Sequence, residues 1–176
     1  MELLRDLGFH KLEGIDPSSA FIHRARGKGL SARVGNVYDL SSKSQYDVIL
    51  LMDVLEHLAN PGRALKNICS VCKANAKLIL NVPVCDSFTF RARRLLFGET
   101  KQEQLRRWDE THIQVMDENS VLALVRRQGF LVESGQHVSN PFPLVPRLSP
   151  TLARLLQPLT FGGRFGDFYF LVGRRG

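Results

Sequence analysis

Asp16 follows a short apolar run and precedes Pro17-Ser18 and a helical pattern. A carboxylate at such a strand-to-helix turn can accept both vicinal hydroxyls of a ribose. It equally suits a helix N-terminus with no ligand, where the macrodipole favours negative charge. Asn36 with Val37 ends a second apolar run, and Met52-Asp53 end a third. Glu56 and His57 come next, Glu56 reading as a helix-end or structural acid and His57 as an imidazole that backbone hydrogen bonds alone could satisfy. His112 offers a further imidazole for general-base chemistry. Trp108, the only tryptophan, fits either a pocket wall or an anchor held by burial. Cys69 and Cys72 form a C-x-x-C, but no second Cys or His pair completes a zinc set. With Cys85 they read as reduced structural thiols, and no metal site is expected.

These groups require strand ends to hold them. Residues 2–7 form a helix stub stopped by Gly8, residues 11–15 a strand, 16–18 a turn, 19–28 a helix ending at Gly29, and 30–34 a second strand. Residues 46–52, Tyr-Asp-Val-Ile-Leu-Leu-Met, carry the strongest strand signal, a continuous apolar run expected to be buried on both faces. Residues 61–71 are helical by periodicity, with Asn60 as N-cap, Pro61 at the first position, and Ala64, Leu65, Ile68 and Val71 on one face. A buried strand follows at 76–82. Residues 117–127 form a helix with Val121, Leu124 and Val125 as its stripe and Gly129 closing it. Strands at 130–138 and 165–173 are separated by a proline-rich stretch at 141–158. This alternation predicts an α/β domain with a mostly parallel sheet and right-handed crossovers. Ligands then bind at the strands' carboxyl ends, which are Asp16, Asn36 with Val37, Asp53 and Pro83.

At 176 residues the chain suits one domain, and 44% hydrophobic with 23% charged residues excludes a disordered or collagen-like chain. The longest apolar stretch, 48–58, is interrupted by Asp53, Glu56 and His57, so no transmembrane helix is expected, and the compartment is read as cytoplasmic. Residues 85–108 break the rhythm and hold six Arg or Lys against two Glu between positions 91 and 107. With the net charge of +7, that excursion suits a solvated face, an anionic acceptor, or a peripheral contact with an anionic membrane. No aromatic and basic alternation points to RNA, so no nucleic acid partner is expected. No G-x-G-x-x-G follows a strand, which disfavours a nucleotide-dependent oxidoreductase.

Gly14-Ile15-Asp16-Pro17-Ser18, Gly35-Asn36-Val37, the run from Tyr46 through Asp53-Val54-Leu55-Glu56-His57-Leu58, and Leu78-Ile79-Leu80-Asn81-Val82-Pro83 occur in this order and spacing. Thr111-His112-Ile113 follows, then a helix ending at Gly129-Phe130. In these stretches, over roughly residues 1–138, the chain resembles class I S-adenosylmethionine-dependent methyltransferases, closest to the small-molecule group called type 11. The resemblance implies a Rossmann-like sheet, mostly parallel with an antiparallel C-terminal strand. It implies a single methyltransferase-like domain over 1–176, with a basic lid at 91–110 and a proline-rich connection at 139–164.

By the same resemblance S-adenosylmethionine is the cofactor. Asp16, with Pro17 and Ser18, would bind its ribose; Asn36 and Val37 would approach the adenine; Met52 and Asp53 would flank the methionine part. Many relatives carry Asp where this chain has Asn36. His57 and His112 are the candidate catalytic bases and Trp108 a candidate substrate contact. The acceptor would be a small molecule, a lipid or a glycan. The alternative is a methyltransferase-like protein without catalysis that acts as an interaction or regulatory partner. One departure stands out: the family's first strand and glycine-rich loop precede the helix that begins here at Met1, so the sheet is expected to be N-terminally truncated. Without that strand the two strands flanking it would lack a partner, each buried unpaired group costing about 1 to 3 kcal/mol. A fragment or mis-started product of a longer protein is the expected explanation, ahead of direct pairing of the flanking strands or a strand donated by another chain.

Overall fold

A strand, a helix and a second strand parallel to the first occur twice along the chain. The computed structural model describes residues 1–40, 45–85, 88–138 and 167–176, without the side chains of residues 88, 89, 93, 105, 107 and 108. Two units emerge, Met1–Ser44 and Gln45–Gly176.

The first unit runs α1 (Glu2–Asp6), β1 (Gly14–Asp16), α2 (Ser19–Gly27) and β2 (Ala32–Val34). β1 and β2 pair in parallel over three residues, from Gly14 opposite Ala32 to Asp16 opposite Val34. The pairing starts later than the apolar pattern at 11–15 suggests, because ladder bonds rather than side-chain type delimit a strand, and Asp16 becomes its last residue. Ser18 caps α2, its hydroxyl accepting from Phe21 N at 3.4 Å. Arg5 Nη1 donates to Lys28 O at 2.7 Å and Lys28 pairs with Glu2 at 2.6 Å, tying α1 to the end of α2.

The second unit contains β3 (Tyr46–Met52), α3 (Pro61–Val71), β4 (Cys72–Pro83), α4 (Phe88–Phe97), α5 (Lys101–Trp108), α6 (Glu118–Arg127), β5 (Phe130–Val138) and β6 (Phe168–Arg175). Its sheet order is β3-β4-β6-β5, with β3 parallel to β4 and β6 antiparallel to both neighbours. α3 makes the crossover that a parallel pair requires. It begins as expected, Asn60 Oδ1 accepting from Arg63 N at 2.9 Å ahead of Pro61, and buries Ala64, Leu65, Ile68 and Val71. Asp117 and Ser120 form a reciprocal capping box on α6, which buries Val121 and Val125. Ala76, Leu78, Leu80 and Val82 alternate as the buried face of β4, joined in the core by Phe130 and Leu171. Each of the larger side chains among these, the leucines, Val82 and Phe130, contributes roughly 1.5 to 3 kcal/mol of burial.

β3 departs from expectation. Far from being buried on both faces, it leaves Val48, Leu50 and Met52 at 49, 43 and 49% exposure. It is an edge strand with β4 as its single partner among the described residues.

The basic excursion folds as α4 and α5. Arg94 Nη1 donates to Cys85 O at 2.9 Å and Gln104 Nε2 to Phe90 O at 3.2 Å, while Leu95, Leu96 and Phe97 face solvent. The final strand is β6, displaced by two to three residues from the predicted 165–173. The proline-rich connection at 139–164 lies outside the described residues.

Candidate functional site

Because β1 and β2 are parallel, their carboxyl ends lie together. Gly35 N donates to Asp16 O at 3.1 Å, and Asn36 follows directly. Asp16 Oδ1 accepts from Ser18 N at 2.7 Å, which orients the carboxylate and leaves its other oxygen without a hydrogen bond among the described residues. Asn36 Oδ1 accepts from Tyr38 N at 3.0 Å as N-cap of a 3₁₀ turn, Val37–Asp39. Its Nδ2 thus remains as a donor. A carboxylate oxygen and an amide donor on adjacent strand ends suit a ligand carrying hydroxyls and a heterocyclic acceptor. Pro17 is exposed, and the Ser18 hydroxyl is committed to its cap.

In the second unit β3 ends at Met52, whose side chain is exposed. Asp53 follows with φ of 52°, in the left-handed region that Asp tolerates better than most residues. Its N–H donates to Asn81 O at 3.1 Å, and its Oδ1 accepts from Asn81 Nδ2 at 2.7 Å. These two bonds hold an exposed carboxylate at the strand end.

The adjoining turn, Leu55–His57, is joined to the segment before α6. Glu56 O accepts from both Ile113 N and Gln114 N at 3.0 Å, and Gln114 Nε2 donates to Leu58 O at 3.0 Å. This backbone junction brings His112 beside Glu56 and His57. The two imidazole centroids lie 4.8 Å apart, and their Nε2 atoms are 3.8 Å (His57) and 4.0 Å (His112) from Glu56 Oε1. Thr111 Oγ1 donates to Asp109 Oδ1 at 2.6 Å and sits 2.9 Å from His57 Nδ1. The Asp109 carboxyl is held below its ordinary range by those Thr111 hydrogen bonds.

Glu56 is the residue that sequence reasoning undervalued. Its side chain is 1% exposed, and neither carboxylate oxygen hydrogen-bonds to another of the described residues. Burial pushes its pKa from 4.5 to about 7, its own backbone N–H partly opposes, and Asp53 and Asp109 add repulsion. The available signal was a carboxylate standing between Leu55 and His57 inside an apolar run. Two groups of expected residues therefore assemble: Asp16 with Asn36 and Val37, and Met52 with Asp53, His57 and His112. Trp108 ends α5, and its side chain is outside the described set.

Three solved structures illustrate the likeness. An S-adenosylmethionine-dependent methyltransferase of Thermotoga maritima, described as a possible histamine N-methyltransferase, is 18% identical with a TM-score of 0.69, covering 93% of this chain and 72% of its own. A counterpart from Archaeoglobus fulgidus is 15% identical with a TM-score of 0.68, covering 99% and 80%. The magnesium protoporphyrin IX methyltransferase of Synechocystis, solved with bound SAH, is 15% identical with a TM-score of 0.58, covering 93% and 64%. No curated protein matches the sequence. The model of a methyltransferase domain matches residues 1–134. Three quarters of the chain thus fits that model, and the fold agrees with it: the chain belongs to the methyltransferase-domain family, class I, with S-adenosylmethionine as cofactor.

Proposed function

We propose that the chain transfers a methyl group from S-adenosylmethionine to an oxygen or nitrogen of a small amphiphilic acceptor. The cofactor supplies an electrophilic methyl on a sulfonium, and the protein's task is largely to position a nucleophile in line with it and exclude water. Asp16 would take the ribose hydroxyls on its unbonded oxygen, and Asn36 Nδ2 would donate to an adenine nitrogen. Asp53 and Met52 would flank the methionine part. An oxygen or nitrogen nucleophile must shed a proton, and His57 and His112 are the groups suited to receive it. The observation carrying this reading is the contact of the two imidazoles against a buried carboxylate, beside the Asp53 strand end. Leu95, Leu96 and Phe97 at 87, 72 and 68% exposure, next to Arg91 and Arg94, favour a lipid-like acceptor over a glycan.

Calorimetric titration of the 176-residue chain with S-adenosylmethionine tests this. Wild type should bind, and Asp16→Ala should bind at least about tenfold more weakly, as expected on losing a charged hydrogen-bond acceptor. Equal affinity of the two proteins refutes the ribose assignment. A chain that does not bind the cofactor at all is instead a methyltransferase-like interaction partner.

A further inference from the structure

We propose that Glu56, His57 and His112 are three ligands of a divalent metal ion of the zinc class. One donor atom from each lies within 4.8 Å of the others. The imidazole Nε2 atoms are 3.8 and 4.0 Å from Glu56 Oε1, too far for hydrogen bonds. Bonds of about 2.0 to 2.2 Å to a shared cation set donors roughly 3 to 4 Å apart, so small side-chain shifts complete the set.

The surrounding hydrogen bonds fix which atoms are free to ligate. The Thr111 hydroxyl proton is committed to Asp109 Oδ1, so towards His57 its oxygen can only accept, as can the Thr111 carbonyl 3.3 Å away. His57 Nδ1 therefore carries the hydrogen, and Nε2 presents its lone pair towards Glu56. A ligand imidazole held through its other N–H by an outer acceptor is the usual second layer of a metal site. Beside it the two Glu56 oxygens and His112 Nδ1 are buried and, among the described residues, without hydrogen-bond partners, while His112 Nε2 is the ring nitrogen 4.0 Å from Glu56 Oε1. When Glu56 is ionised, its carboxylate and the His57 Nε2 lone pair are acceptors 3.8 Å apart in a dry place, an arrangement that a shared cation would satisfy. Two His and one Glu is a known catalytic zinc set, and it leaves a coordination position for solvent or an acceptor atom.

Searching for short Cys and His spacings missed this set, since its members come from residues 56–57 and 112. The inference goes beyond the methyl-transfer reading and changes one part of it: an imidazole whose lone pair is held by a metal cannot also take a proton, so with metal bound His57 and His112 act as ligands and not as the proton-accepting bases. The test is calorimetric Zn²⁺ titration of the full chain after chelation, with Co²⁺ absorption as a second readout. One ion per chain is expected, bound at least about tenfold more weakly by Glu56→Gln and His112→Ala and equally well by a Cys69→Ser/Cys72→Ser variant. His57 is the most exposed ligand, with 31% side-chain exposure, so His57→Ala tests the site where the buried variants fail to fold. No uptake by wild type, unchanged affinity in His57→Ala, or loss of binding confined to the cysteine variant overturns the proposal. Zn²⁺ binding without S-adenosylmethionine binding sinks the functional reading and leaves this one standing.

Discussion

Glu56→Gln should remove most of one component of the protein's pH dependence. Below pH 4.5 the Glu56 carboxyl is protonated in both the folded and unfolded chains, so it imposes no ionisation cost. As pH rises past that value the unfolded chain releases the proton while the folded one keeps it until about 7, so stability falls through this window. The slope approaches about 1.4 kcal/mol per pH unit, and above pH 7 the accumulated penalty levels off at about 3 kcal/mol. Urea unfolding from pH 4.5 to 8.5, in chelator to keep metal away, should show wild type losing this amount relative to Glu56→Gln. The comparison cancels groups common to both proteins, including Asp109, Asp117 and Glu133, whose pKa values are lowered by hydrogen bonds. A constant offset with parallel pH profiles would refute the claim that Glu56 is buried without compensation.

Gly135→Ala should destabilise the second unit by about 1 to 3 kcal/mol in the same assay, because the new methyl would overlap the buried Tyr169 ring and its hydroxyl. An unchanged midpoint would show that Tyr169 does not cover Gly135. Replacing Leu95, Leu96 and Phe97 together with Gln should leave stability unchanged and reduce binding to anionic phospholipid vesicles at least about tenfold. Equal binding of both proteins to anionic and neutral vesicles would remove the argument for a lipid-like acceptor.

Helices α1, α2, α3 and α6 were legible because their signals are local, whereas α4 and α5 fall in a stretch read only as an excursion. Asn60-Pro61 is a start signal completed within one turn, and it operates as written; the Asp117–Ser120 capping box that opens α6 is equally local but is missed by a reading that counts Asp117 inside the helix. Strand identity was equally legible along residues 46–52. Their burial was not, since the same apolar run suits a central strand or an edge strand, and only the neighbours decide. No helix among the described residues is long and apolar enough to cross a membrane, in line with the interrupted stretch at 48–58.

The site was legible at its strand ends and obscure at its centre for a related reason. Asp16, Asn36 and Asp53 each follow an apolar run, so their position can be inferred from their own neighbourhood. The environment of Glu56 is supplied from elsewhere: Ile113 and Gln114 close over it through its carbonyl, and His112 arrives with them. No local pattern announces that a carboxylate will be sealed in by a segment distant in sequence. Folding alone gives no reason to keep it there, because a neutral residue of similar size would avoid the ionisation penalty. A cation between Glu56 and the two imidazoles removes that contradiction, since it compensates the carboxylate and gives the His57 Nε2 lone pair a partner at once. The same junction that makes the bare fold less stable above pH 7 would then be what holds a metal ion.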